Sequence, residues 1–237
     1  MLDHKTSPAW LALQAAAIIA SILLAFAIEA WWDSRQESEL QQAVLASLHR
    51  DFQQNRINLN NTLQQFEVWK KQYSRYQSST PAELALLDEE AAGHMVISLS
   101  PGMTYDPSSG TLDALISDGR LALIEDLGLR DGLANWLRAL RDIAENDVDI
   151  RSGSLRAQIA SEAHGGPFQV PFPPPPISLE HFARPTGKTL SAMRQDSRFM
   201  GSVRSHHYQI AIYVRELLVL DKILNDILTG LERVIEK

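Results

Sequence analysis

Histidines are the side chains that most often carry out chemistry, and seven of them are spread along this chain of 237 residues. No H-E-x-x-H motif or other spaced set of metal ligands includes them. His206 and His207 are adjacent, so on a helix they point about 100° apart and cannot share one metal ion unaided. Glu162-x-His164 supplies two ligands at most. The sequence therefore predicts no metal site, and we expect His206 to be a hydrogen-bonded core residue.

Hydroxyl and acidic side chains give no catalytic set either. Ser108 and Ser109 lie in a turn-forming stretch without the G-x-S-x-G frame of a nucleophile, and they are better suited to capping the next helix. The acidic residues at 142–149 lack the glycine and distal glutamate of a calcium loop, so we expect a solvated face there. Neither G-x-G-x-x-G nor a Walker loop is present. The sequence thus predicts no catalytic, cofactor-binding or metal-binding residue and no enzyme.

Composition excludes further classes of function. The chain has 22 basic and 29 acidic side chains, and its net charge is −7. It contains no basic cluster, which argues against a nucleic-acid partner, because phosphate binding needs concentrated Lys and Arg. It also contains no cysteine, which excludes disulfides, thiol nucleophiles and cysteine-bound metals. Apolar residues make up 45%, enough to build a buried core.

The strongest signal is an uncharged run of 21 residues from Pro8 to Ile28. As a helix it rises about 31 Å, which matches a hydrocarbon core of roughly 30 Å. Trp10 stands at one edge and Trp31 and Trp32 at the other, and tryptophan rings favour the headgroup level. The sequence therefore predicts a membrane helix over 8–32 with these three tryptophans as interface anchors.

A cleaved signal peptide is the alternative interpretation, because Lys5 resembles a charged n-region and 25–27 resembles a cleavage site. The apolar run is longer than the usual h-region of roughly 7–15 residues, which favours an anchor. Basic residues flank both ends almost equally, so they do not settle the orientation. Residues 1–7 are too few to fold. We expect that tail in the cytoplasm and 33–237 outside it, with the helix in the inner membrane.

Small residues recur along one face of the predicted membrane helix. Ala17, Ser21 and Ala25 are four residues apart, and Gln14 lies one turn earlier. Small side chains let helices approach closely, and an amide can hydrogen-bond across such a contact. We expect this face to bind another membrane protein or a second copy of the chain. The alternative is a plain alanine-rich anchor that tolerates Gln14.

Three acids mark the membrane edge. Glu29, Asp33 and Glu37 lie on one helix face, where like charges repel mildly and call for a counter-charge. That charge could come from this chain, from lipid-associated cations or from a basic partner, and simple exposure among the headgroups is the alternative. The candidates within the chain are Arg35, Arg233 and Lys237.

Beyond the membrane the pattern is helical. No Gly or Pro interrupts 33–80, and apolar residues fall at heptad-like spacing with Asn55 as a polar insert. Those residues are Leu45, Leu48, Phe52, Leu59, Leu63, Phe66 and Tyr73. The membrane helix is therefore expected to continue to about Ser78. A second long stripe over 188–236 includes Leu217 and Leu224 and is widened by Leu218. It predicts a C-terminal helix that pairs antiparallel with the first.

Shorter elements fill the middle of this all-α prediction. Thr80 and Glu83 form a capping box that begins a helix ending near Ser98. Short helices are expected from Thr111 and over 121–126, and a longer one over 130–163, whose apolar face includes Trp136 and Ala144. The stretch 164–187 is proline-rich, which indicates extended chain. We expect it to be a semi-rigid strap between two helices rather than a ligand for an aromatic groove.

The sequence resembles a group of uncharacterised bacterial single-pass membrane proteins that share a domain of unknown function. Two stretches carry the resemblance, and together they span about a quarter of the chain. The first is AFAIEAWWD at 25–33, leading into 45–55. The second is 104–106 with TLDALISDGRL at 111–121, followed by Ile124 and 129–130. The resemblance implies membrane anchoring and an all-helical body. It brings no known activity with it.

Two functions remain open at this point. The first is a membrane-anchored helical interaction or accessory subunit of a bacterial envelope complex, whose partners are the lipid bilayer and another membrane protein or a second copy. The second is an extracytoplasmic ligand-binding or sensing module, because helical bundles often hold small molecules between helices. With only 1–7 in the cytoplasm, we expect its signal to pass through a partner membrane protein.

Overall fold

A computed structural model describes residues 8–168 and 183–236, and within these ranges the regular elements are helices. The predicted all-α class is confirmed for this part of the chain. Seven α-helices follow one another as α1 Pro8–Ser78, α2 Pro81–Ala85, α3 Glu89–Leu99, α4 Gly110–Ser117, α5 Leu127–Ser161, α6 Gly187–Gln195 and α7 Ser197–Ile235. The tail 1–7, Lys237 and the strap residues 169–182 lie outside the described residues.

Helix α1 is 71 residues long and rises about 107 Å. It contains no glycine, and its one proline stands at the first position, so the usual causes of a kink are absent. The prediction that one helix runs without a break from the apolar segment to Ser78 is confirmed. Most of the predicted apolar positions beyond the membrane are buried, whereas Leu63 and Tyr73 are half-buried.

Helix α7 packs along α5 and along the outer part of α1. Most of its predicted apolar stripe is buried, with Leu217 and Leu224 fully covered. Contacts between α1 and α7 follow opposite sequence order, since residue numbers rise along α1 as they fall along α7. They include His49 with Glu232, Phe66 with Tyr213, and Tyr73 with His207. The two long helices thus pack against each other, as predicted.

Two predicted helices are each divided in two by an aspartate. Asp88 has extended backbone and its Oδ1 accepts from the Ala91 N–H at 2.8 Å, so α3 begins there rather than continuing α2. Asp196 accepts from the Arg198 N–H at 2.8 Å and separates α6 from α7. A short acidic side chain satisfies the free N–H groups of a new helix, which makes the break favourable.

The first break also lets α2 and α6 meet closely. Gly187, the first residue of α6, lies against the end of α2, and a Cβ added there would come within 2.4 Å of the Leu84 carbonyl oxygen. Only glycine fits so close to that backbone. The proline-rich segment therefore re-enters the described fold at a fixed point beside α2.

Three other boundaries or faces differ from expectation. Helix α5 begins at Leu127, because Asp126 accepts from the Leu129 N–H, and it ends at Ser161 rather than 163. The predicted short helix at 121–126 is a 3-10 turn over Arg120–Leu123. Ala144, assigned to the apolar face of α5, is exposed, whereas Trp136 on that face is fully buried.

The buried apolar side chains form two clusters. The first cluster lies nearer the membrane helix along α1 and gathers around Trp136, with Leu48, Phe52 and Leu217. The second cluster lies at the distal end, where residues of α1, α2, α3, α6 and α7 meet. Its members include Tyr76, Leu84, Met95, Leu190, Met193 and Phe199. The short middle helices thus complete a core at the far end of the long ones.

Candidate functional site

The predicted interaction face lies on the part of α1 that the rest of the described chain leaves uncovered. Gln14, Ala17, Ser21 and Ala25 are all exposed. The Ser21 hydroxyl donates to the Ala17 carbonyl oxygen at 2.8 Å, so the serine is satisfied within its own helix. The Gln14 amide has no hydrogen-bond partner among the described residues. The face thus combines a smooth small-residue surface with one free polar group.

One helix in the described chain is long and apolar enough to cross a membrane, and it contains this face. None of its most apolar 18-residue window is buried. Trp10, Trp31 and Trp32 are 52%, 59% and 61% exposed, as rings that contact headgroups must be. The Arg35 guanidinium lies 5.9 Å from the centre of the Trp31 ring. The three rings are exposed, and their role as interface anchors stays a prediction.

The acidic membrane-edge face is also exposed at Glu29, Asp33 and Glu37. Arg35, one predicted counter-charge, instead pairs with Glu39 at 3.1 Å. That pair is itself solvent-exposed and contributes little to stability.

A different arginine lies beside this face. Arg120, on the 3-10 turn, lines a shallow surface depression together with Asp33 and Glu37. Arg233, the second predicted counter-charge, lines another depression with Asp126 and Asp226. Sequence reasoning missed Arg120 because 83 residues separate it from Glu37 and no local pattern links them. The turn therefore lies beside the first residues after the apolar segment of α1.

A buried polar network holds the non-helical segment 100–109 in place. The Asn55 side chain donates to the Ser108 carbonyl oxygen at 2.8 Å and accepts from the Ser108 N–H at 2.7 Å. The Tyr213 hydroxyl accepts from the Tyr105 N–H at 2.7 Å. Side chains on α1 and α7 thus replace the backbone partners that this segment lacks. The polar insert predicted at Asn55 fixes the path of this segment.

His206 and His207 bind backbone at the start of the same segment. His206 Nε2 donates to the Pro101 carbonyl oxygen at 2.7 Å, which confirms the hydrogen-bonded core residue predicted there. His207 Nε2 donates to the Ser98 carbonyl oxygen at 2.9 Å. Burial lowers the pKa of His206, and it lowers the pKa of His207 to about 4. Both rings are therefore neutral at pH 7 and hold structure.

Among the described residues no group of three or more His, Asp or Glu side chains could hold a metal ion. The acidic run at 142–149 is not wholly solvated, because Asp147 is half-buried and burial raises its pKa. Ser109 directly precedes α4, but the predicted cap is wrong, because its hydroxyl contacts the Asp113 carboxylate rather than a backbone N–H. The hydrogen bonds of these side chains are structural and stabilise the bundle.

An apolar cavity of about 380 Å³ opens near the distal end of the bundle. Its walls come from α1, α3, α5, α6, α7 and the segments after α3 and α5. Sequence reasoning missed it, because five helices distant in sequence contribute to it. The first strap residues, Pro167 and Phe168, lie at its edge.

Comparison of the chain with protein families, curated proteins and solved structures gives no match. The resemblance to single-pass membrane proteins of unknown function stays a prediction. Function is therefore inferred from the chain's own geometry.

Proposed function

We propose that this chain is a non-catalytic interaction or accessory subunit of a bacterial envelope membrane complex. Residues 8–32 anchor it in the inner membrane, 1–7 lie in the cytoplasm, and 33–237 form a helical body outside. The membrane helix binds another membrane protein or a second copy through Gln14, Ala17, Ser21 and Ala25. The alternative of a cleaved signal peptide predicts a mature protein lighter than the 26.5 kDa of the whole chain, which an intact mass tests directly.

The uncovered membrane helix carries this proposal. The first buried side chain described on α1 is Leu45, so the body leaves the span free to contact other proteins. Gln14 would face hydrocarbon with an unsatisfied amide, which is costly in lipid. A partner helix removes that cost by accepting its hydrogen bond, and small neighbours allow the required approach.

The body is suited to present a second binding surface away from the membrane. We infer that α1 and α7 pair antiparallel, which is supported by the opposite order of their contacts. This pairing returns the C-terminus toward the membrane and leaves α2, α3 and α6 at the far end. A subunit of this shape spans from the bilayer to a distal contact.

Gentle detergent extraction followed by native mass measurement tests the proposal. We expect a species heavier than one chain, either a homo-oligomer or a complex with a second membrane protein. A strictly monomeric protein without any co-purifying protein would contradict it.

Reporter fusions at Lys237 test the topology. A reporter that works only in the cytoplasm is expected to be silent there, whereas one that works only outside should be active. The same fusions placed after Ser7 with the rest of the chain removed serve as cytoplasmic controls. An active cytoplasmic reporter at Lys237 would reverse the orientation and the localisation.

A ligand-binding or sensing module that signals through a partner membrane protein is the second candidate. The apolar cavity favours it, because small-molecule sites are mostly apolar recesses of about 300–1,000 Å³. A thermal-shift screen of metabolites and metals on the full chain tests this candidate. Stabilisation by several degrees from one compound class would support it, and a flat screen would count against it.

A further inference from the structure

The distal cavity lies at the seam between the two hydrophobic clusters. Trp69 on one wall belongs to the first cluster, whereas Met193 and Phe199 on another belong to the second. The cavity is therefore bounded by both cores and by the segments that follow α3 and α5. A molecule bound there would contact both clusters at once.

Small side chains create the space. Ser100, Gly102, Ala157 and Ser161 line the cavity where larger residues would fill it. Protein interiors are close-packed, and voids larger than one water molecule are few. An unfilled recess of about 380 Å³ leaves the surrounding side chains without dispersion contacts on one side. A ligand of matching size restores those contacts.

The lining defines the chemical class of that ligand. No charged side chain is among the described residues that form the walls. Two of the polar groups are already engaged, since the Ser161 hydroxyl donates to the Gln158 carbonyl oxygen at 2.6 Å and Gln158 Nε2 donates to the Ser154 hydroxyl at 3.1 Å. A charged molecule would lose its hydration there without a counter-charge. An apolar molecule gains from leaving water.

We propose that this cavity binds an uncharged, mainly hydrocarbon molecule. The proposal rests on the ligand-binding candidate above and narrows its substrate class. Free long-chain alcohols and neutral lipid esters are two sources of such a molecule. Both share the hydrocarbon chain that the cavity accommodates.

Photo-crosslinking of the full chain in mild detergent tests the proposal. The probe is hexadecanol that carries a diazirine on its chain, and the matched probe is the corresponding fatty acid. We expect the alcohol to label peptides that contain 99–103 and 157–161. The acid should label them at least about tenfold less, because none of the described wall residues is a cation. A neutral diazirine ester used in parallel shows whether free or esterified chains are preferred.

Ala157→Phe fills the cavity and should abolish this labelling. Leu155→Phe lies on the same helix, where the native leucine is 57% exposed, and should leave the labelling unchanged. Met103→Trp fills the cavity from a half-buried loop position, so it serves if Ala157→Phe fails to fold by circular dichroism.

Labelling confined to the membrane helix, or cavity labelling unaffected by both filling variants, would overturn the proposal. A second outcome distinguishes failure of the hydrocarbon proposal from failure of the ligand-binding candidate on which it rests. If a polar compound stabilises the protein in the thermal screen and the alcohol leaves the cavity peptides unlabelled, ligand binding stands and the hydrocarbon class is wrong. If neither occurs, both are wrong.

Discussion

Tyr73 on α1 and His207 on α7 stack face to face, with ring centroids 3.6 Å apart and ring planes within 5° of parallel. The same histidine donates to the Ser98 carbonyl oxygen on α3. One neutral ring therefore ties three helices together, and its charge state bears on the stability of the distal end.

We expect stability to fall as the pH drops from 7 to 5. The folded-state pKa of His207, about 4, lies below the unfolded value near 6.5, so the unfolded state binds more protons. The contribution of His207 is complete above pH 6.5 and is lost as the pH falls toward 4, by about 2 kcal/mol at pH 5. Denaturant unfolding at both pH values measures this.

His207→Gln is the matched variant, because glutamine keeps a donor for Ser98 but does not titrate. Its stability should change about 2 kcal/mol less than that of the native chain over the same interval. Burial raises the pKa values of Asp147 and Glu216, so these two acids oppose the loss of stability as the pH falls. Both are present in the native chain and in the variant, so their contribution cancels in the comparison. Identical pH profiles would mean that His207 is not buried neutral.

The α7 stripe predicts a large contrast between buried and exposed positions. Leu217→Ala or Leu224→Ala leaves a cavity in the first cluster and should cost about 2–5 kcal/mol of unfolding free energy. Glu232→Gln changes a largely exposed side chain and should cost under about 0.5 kcal/mol. Chemical denaturation compares them, and equal losses at Leu224 and Glu232 would refute the assigned face.

Asn55 should be among the polar residues most sensitive to change. Asn55→Leu leaves the Ser108 N–H and carbonyl without their partner and should cost about 2–4 kcal/mol. Gln54→Leu, on the exposed neighbouring position, should cost under about 0.5 kcal/mol. Limited proteolysis should cleave within 100–109 faster in the Asn55 variant. Unchanged proteolysis would indicate that the segment is held by other contacts.

Association through the proposed membrane face should depend on the size of the side chain at Ser21 and on the polarity of the side chain at Gln14. Ser21→Ile blocks close approach, and Gln14→Leu removes an interhelical hydrogen bond of about 0.6–2 kcal/mol. Both variants should insert and fold yet lose the associated chains in native mass spectra. Ile19→Leu, on the opposite side of the helix, is the control. If both variants keep every partner of the native protein, the face is alanine-rich filler and association occurs through the extramembrane helices.

The long helices were predictable because their signals are local: uninterrupted periodicity, a proline at the first position and a membrane-length apolar run. The breaks at Asp88 and Asp196 were missed, since an aspartate within a periodic run looks like one more solvent-facing residue. Leu218, assigned to the α7 stripe, is 50% exposed, because that stripe is wider in sequence than the groove that α5 and α1 provide. Periodicity identifies a face but does not fix its width.

The candidate sites also differ in whether a local sequence signal predicts them. The spacing of Ala17 and Ser21 marks a membrane face, but the partner that would explain it is another molecule. The contact between His206 and Pro101 spans 105 residues. The cavity joins even more distant segments. Neither could be read from local pattern, because each depends on how separate helices meet.

Because α1 is unbroken, a tilt at its N-terminal end displaces its C-terminal end. From Asp33 to Ser78 it extends about 68 Å, with no glycine or proline to absorb bending. A change of 10° in the tilt of the membrane segment, within the range of about 0–40° known for such helices, would swing Ser78 through about 12 Å. If Ser21 lies in the bilayer as proposed, a small rearrangement there would move the distal bundle by about the width of a helix.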